Sequence, residues 1–151
     1  MDYLGGSNNC ELSYDLLSSS VECKVTAGDP YFNVYISDDQ VFQAENYPYM
    51  KIGYKIDSAD TMQMFWGTDI HPMSAATTTS WNHSAENEWV DQVVDINNEN
   101  WSGTLRYIRL DPVVSADHQT INIRYIAFFA TKEEAEAYQF SHPDAFCMER
   151  R

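Results

Sequence analysis

Two tryptophans in "MQMFWGTDIHPMSAATTTSWNH", residues 63 to 84, carry the most distinctive chemistry in the chain. An indole offers a flat apolar face and one N–H donor. That combination stacks on the C–H face of a pyranose while nearby Asp, Asn, Gln, Arg or His groups bind its hydroxyls. Trp81 follows the small polar run "SAATTTS" and precedes Asn82, His83 and Ser84, a setting expected of a loop or a solvent-facing edge. It is the first candidate for a stacking platform, although lone loop aromatics also plug the ends of sandwiches. Trp66 shares a strand face with Met62 and Met64 at period 2, leaving Gln63 and Phe65 on the other. If Phe65 is core, the Trp66 face lines a concave surface or sits beneath a loop; otherwise Trp66 is a buried strand end. Tyr47, beside Pro48, is the third aromatic candidate. Asp69, His71 and His83 join as polar candidates by closeness to the aromatics, and Arg124 by its place on a strand.

No catalytic pattern competes with this reading. The chain has no Gly-x-Ser-x-Gly elbow, His-Glu-x-x-His, Gly-rich phosphate loop or paired-cysteine motif, and His71, His83, His118 and His142 are scattered. The sequence therefore predicts a non-enzyme. Nine Lys and Arg against 23 Asp and Glu give a net charge of −14. That balance argues against nucleic acid, whose affinity comes from cationic contacts to phosphate, and against anionic membranes. A neutral polyhydroxylated ligand tolerates it. Cys10, Cys23 and Cys147 are odd in number and lack metal-ligand spacing, so at least one thiol is left over or pairs with another chain.

The elements that must position these residues are strands. "VECKVTA" and "YMKIGYKI" alternate apolar and polar residues, as half-buried strands do. "TMQMFWGT", "EWVDQVVDI", "TLRYIRLD" and "QTINIRYIAFF" add further strands, and "FNVYI" a weaker one. Thr131 and Glu134 form a capping-box pattern that opens one helix at "TKEEAEAYQF". Many short strands with turn residues between them predict an all-β, antiparallel β-sandwich with one short C-terminal helix, a closed barrel being the alternative. The expected organisation is a flexible segment over 1–12, the sandwich over 13–140 and a tail or linker over 141–151. The abrupt ends predict a piece of a longer polypeptide, with any export signal outside it.

The second half carries a specific combination. Trp89 opens a strand ending near Asp95, a Trp-x-Gly turn follows at Trp101 and Gly103, and a strand runs into Arg109–Leu110–Asp111–Pro112. The last strand, Ile123 to Phe129, leads into the helix at Thr131. With "AGDPYF" and "YPYMKIGYKI" earlier, this resembles the galactose-binding-like, or jelly-roll, accessory domains of bacterial polysaccharide-degrading and cell-surface proteins. The likeness spans roughly Val21 to Tyr138. Arg124 departs from it, standing where such domains carry Asp. Trp89, Trp101, Asp95, Arg109 and Asp111 read as scaffold, with Asp95 and Arg109 free to pair at the sandwich edge.

The resemblance implies a non-catalytic carbohydrate-binding module that targets an attached enzyme to a polysaccharide, a plant cell-wall glycan first. Extracellular or cell-surface location and covalent linkage to a catalytic domain follow from the same likeness. No cofactor is required. A structural calcium is an option in such domains, and Asp29, Asp38, Asp39, Glu45 and Asp117 are the loop carboxylates available. The rival reading is a structural or protein-interaction sandwich without a sugar site.

Overall fold

The computed structural model describes residues 4–115, 118–141 and 147–151. Twelve strands are present among them: β1 (Leu4–Asn8), β2 (Cys10–Asp15), β3 (Ser20–Val25), β4 (Tyr31–Tyr35), β5 (Phe42–Gln43), β6 (Tyr49–Ile56), β7 (Thr61–Thr68), β8 (Thr78–Asn82), β9 (Val90–Asp95), β10 (Thr104–Asp111), β11 (Thr120–Phe129) and β12 (Cys147–Arg150). The helix α1 spans Lys132–Ala137. The first sheet runs β1-β4-β10-β7-β8, with β5 also on β10; the second runs β2-β3-β11-β6-β9. All these pairings are antiparallel. In the second sheet β12 runs parallel to β11 along Tyr125–Phe128, where β3 no longer pairs. The result is the β-sandwich that the alternation predicts.

Period-2 patterning supplies the core. β10 turns Leu105, Ile108 and Leu110 inward, β7 Met62, Met64 and Trp66, and β11 Ile121, Ile123, Ile126 and Phe128, all at most 1% exposed. Each such aliphatic or Phe side chain contributes about 1.5–3 kcal/mol when fully buried. Trp101 ties the two layers together, edge-on to Trp66 at 5.0 Å and stacked on Phe128 at 5.6 Å. Cys10 and Cys23 are free, buried thiols.

On the outside of the second sheet, Tyr125, Ala127 and Phe129 form a smaller cluster with Ala135 of α1 and with Tyr138 and Phe140. Thr131 caps α1 as the sequence predicts, its Oγ1 accepting from the Glu134 N–H. The helix ends at Ala137, short of the predicted span, and Lys51 Nζ donates to the Glu136 and Tyr138 carbonyls at its end.

Several expectations need correction. The segment expected to be flexible over 1–12 carries β1 and the first half of β2, because Leu4 and Leu12 pack on the core and both strands find a ladder partner. The expected tail contains β12. Of the two settings expected for Trp81, the structure shows the edge: Thr78–Asn82 form β8 at the border of the first sheet. Asp95 and Arg109 lie in different sheets; Arg109 pairs with Asp111, and Asp95 accepts from the Asn97 N–H.

Candidate functional site

While β10 turns its leucines and isoleucine inward, the opposite phase presents Tyr107, Arg109 and Asp111 on the outer side of the first sheet. β4 adds Tyr31, Asn33 and Tyr35, and β7 adds Gln63, Phe65 and Gly67. Strand register sets them in rows: Tyr35, Tyr107 and Gly67 lie abreast, as do Asn33, Arg109 and Phe65, with Asp111 beside Gln63 in the next row. Neighbours across the strands are thus about 4.8 Å apart and successive rows about 6.7 Å apart.

The rings lie down because glycines make room. A Cβ at Gly67 would stand 2.7 Å from the Tyr107 hydroxyl, and one at Gly5 would overlap the Tyr35 ring. Tyr35 and Tyr107 stack on each other with centroids 5.6 Å apart and planes 30° apart. Tyr35 is 45% exposed, and Tyr31, Phe65 and Tyr107 are half-buried. α1 packs on β6, β9 and β11 of the other sheet and so does not cover this face.

Arg109 organises the next rows. Its guanidinium carbon sits 3.8 Å from the Tyr31 centroid and 5.0 Å from that of Phe65, both within cation–π range. Nε and Nη2 donate in a fork to the Asp111 carboxylate at 2.8 and 2.7 Å. Asp29 stands 3.5 Å from Nη2. The Asp111 carboxylate raises the Arg109 pKa further. Burial pushes the Asp111 carboxyl above the ordinary carboxylate range, and Arg109 opposes that shift without cancelling it. The fork sets the guanidinium against both rings. Asn33 and Gln63 add amides that make no hydrogen bond among the described residues. Flat rings beside uncommitted amides and a fixed guanidinium suit the C–H faces and hydroxyls of a chain of pyranoses.

The sequence candidates fall elsewhere. Trp66 is 0% exposed, its Nε1 donating to the Asn100 carbonyl at 3.0 Å, so it offers no face to a ligand. The Met62, Met64 and Trp66 face is core and Phe65 is on the outside, the reverse of the binding-surface reading. Trp81 lies opposite Met62 and packs against the core half-buried, with Nε1 buried and unpartnered. His83 is 7% exposed; its Nδ1 accepts from the Asp60 N–H, and burial holds its pKa below the usual value. Tyr47 packs edge-on against Phe42 at 5.0 Å. Asp69 accepts from the Thr104 N–H, and His71 Nε2 bonds to Ser102 Oγ, both beside the Gly103 turn. Gly103 has the positive φ expected of it, +90°. Arg124 stacks on Trp89 at 3.7 Å on the second sheet. None of these reaches the Tyr35–Tyr107 face. Tyr31, Tyr35, Phe65 and Tyr107 went unassigned and Arg109 and Asp111 read as scaffold. The available signal was a run of aromatics and Arg in phase opposite to Leu105, Ile108 and Leu110.

Three of the calcium donors have other partners. Asp29 faces Arg109, Asp38 faces Arg106, and Glu45 accepts from the Gly103 N–H. Among the described residues no group of three or more His, Cys, Asp or Glu is placed to hold a metal, and Asp117 lies outside them. A depression of about 560 Å³ lined by Glu45, Tyr49, Asp95, Glu99 and Trp101 exposes little of its indole, Trp101 being 4% exposed.

No family model matches the sequence, and no curated protein matches it. Solved structures do share its shape. The low-affinity xylan-binding module CBM86 from the gut symbiont Roseburia intestinalis superposes with a TM-score of 0.54 at 9% identity, over 81% of this chain and 85% of that one. A family 29 carbohydrate-binding module variant complexed with cellulohexaose gives 0.55 at 11% identity, over 78% and 72%. Another family 29 module gives 0.54 at 12%, over 78% and 70%. The chain thus shares its β-sandwich fold with these modules.

Proposed function

We propose that the chain is a non-catalytic carbohydrate-binding module whose glycan platform is the outer face of the first sheet. The observation that carries the reading is the pair of stacked tyrosines, Tyr35 and Tyr107, lying over Gly5 and Gly67 beside the Arg109–Asp111 unit. An open face, rather than a deep pocket, suits the middle of an extended chain more than its end. The ligands of two fold neighbours, xylan and cellulohexaose, support a β-linked plant cell-wall backbone as the target class. Attachment to a catalytic domain and an extracellular or cell-surface setting complete the proposal; such linkage raises the enzyme's effective concentration at its substrate.

The test is titration calorimetry with xylohexaose and cellohexaose on wild type and Tyr107→Ala. Heat that saturates for wild type and falls at least about tenfold in affinity for the variant supports the reading. Equal affinity in both proteins removes the platform from it.

A further inference from the structure

The second sheet carries a separate concave feature at the far side of the sandwich. A cleft of about 170 Å³ opens where the β2–β3 hairpin, the end of β6, the segment before β9 and the start of β11 meet. At about 30 Å³ per water it holds the volume of roughly six waters, the scale of one sugar ring and not of two. Trp89, Lys55, Asp57, Asn87 and Asn122 are among its lining residues.

Three features separate this cleft from an incidental crevice. Trp89 is the one half-buried tryptophan outside the core clusters; Trp66 and Trp101 are buried and Trp81 packs on the core. Arg124 stacks on its ring at 3.7 Å yet does not line the cleft, so the guanidinium props the indole without filling the space. The polar lining also keeps unused capacity. Asp57 Oδ1 accepts from the Thr120 N–H and Asn122 Nδ2 donates to Ser20 Oγ, which leaves Asp57 Oδ2 and Asn122 Oδ1 open among the described residues. Lys55 Nζ, the Asn87 amide and the Trp89 indole N–H make no hydrogen bond or ion pair among the described residues. Asn87 is held at φ +57° with its N–H donating to the Ile56 carbonyl at 2.7 Å, which fixes the backbone that bears its amide.

We infer that this cleft is a second sugar site that takes one neutral hexopyranose, as a chain end or side branch, against Trp89. The indole borders the ring's C–H face. Lys55, Asn87 and Trp89 donate to hydroxyls, and Asp57 and Asn122 accept from them. Two carboxylates, Asp15 and Asp57, against the single ammonium of Lys55 disfavour a uronic acid. This site stands whether or not the tyrosine face binds a chain. If both bind, one domain grips two glycan segments on opposite faces.

The test is a two-dimensional amide NMR titration of the full chain with methyl glycosides of glucose, galactose and mannose, and with glucuronate. The four tryptophan indole N–H signals are the readout, assigned by sequential experiments and not by substitution, and the rest of the spectrum reports whether a variant is folded. The expected result is a saturable shift of the Trp89 signal, in the millimolar range, with at least one neutral glycoside. The Trp66, Trp81 and Trp101 signals stay still, and Asn122→Leu with Lys55→Met abolishes the shift. No Trp89 shift with any neutral glycoside overturns the site. So does a joint, unsaturable drift of all four signals, and an equal response to glucuronate overturns the ligand class. Amides of β4 and β10 report the tyrosine face in the same spectra, so failure of one site is read separately from failure of the other.

Discussion

Tyr107 lies across Gly67, its hydroxyl 2.7 Å from where a Cβ on that glycine would stand. The contact is with the far end of a flexible side chain, so Gly67→Ala displaces the ring instead of breaking the strand. The expected stability change is below about 1 kcal/mol, within the ordinary range for a Gly-to-Ala change in a strand. Affinity for xylohexaose or cellohexaose falls about tenfold, or about 1.4 kcal/mol, because the platform is no longer level. Urea melts and calorimetry on the same preparation separate the two effects.

Arg109 and Asp111 answer to stability and binding differently. Arg109→Ala leaves the Asp111 carboxylate, 8% exposed, without its fork. Removing one partner of a fully buried pair costs about 3–5 kcal/mol, and the 24% exposure of Arg109 places this one lower, at about 2–3 kcal/mol. Arg109→Met with Asp111→Leu recovers most of that stability, since two apolar groups need no partner. Binding is not recovered, because the guanidinium that steadies Tyr31 and Phe65 is gone. Denaturant midpoints and affinities measured on all three proteins check both halves.

Trp81→Ala tests the core assignment of that ring. The half-buried indole packs on the core at the Met62 row, so its loss costs on the order of 2–3 kcal/mol, below the ~3–5 for a fully buried aromatic. Affinity of the folded fraction stays within about twofold of wild type. A lowered urea midpoint with unchanged calorimetry is the expected pair of results.

His83 gives the domain a pH dependence. Burial lowers its folded pKa below the reference value of 6.5, so the unfolded chain takes up a proton first as the solution is acidified. The stabilising contribution is complete above 6.5 and declines as pH falls through that value. Between about pH 7.5 and about pH 5.5 the melting temperature therefore drops, and His83→Asn shows a smaller drop across the same window. Calorimetric melts at the two pH values compare the slopes.

Strand boundaries were legible from runs of strand-forming residues between turn residues: Tyr49–Ile56, Thr61–Thr68 and Thr104–Asp111 fall where the sequence puts them. The identity of the buried phase was not legible at β7, because Met62, Met64 and Trp66 alternate with Phe65 and both phases hold an aromatic. Only the packing partner, Trp101 against Trp66, decides it. β8 was hidden because its inward residues are Thr79 and Trp81, and a threonine does not announce a core face. The proposed binding face was hidden for a related reason. Tyr107 and Arg109 look like ordinary strand residues until register places them beside Tyr35, Phe65 and the glycines that let the rings lie flat.

The most direct check on the central claim is native affinity electrophoresis through gels containing xylan, β-glucan, xyloglucan, mannan or pectin. Wild type, Tyr35→Ala with Tyr107→Ala, and Trp81→Ala are run side by side, with circular dichroism to verify the fold. The account predicts that at least one glycan retards wild type and Trp81→Ala, and that the double tyrosine variant runs free. Retardation that survives loss of both tyrosines, or that vanishes with Trp81 alone in a folded protein, would contradict it.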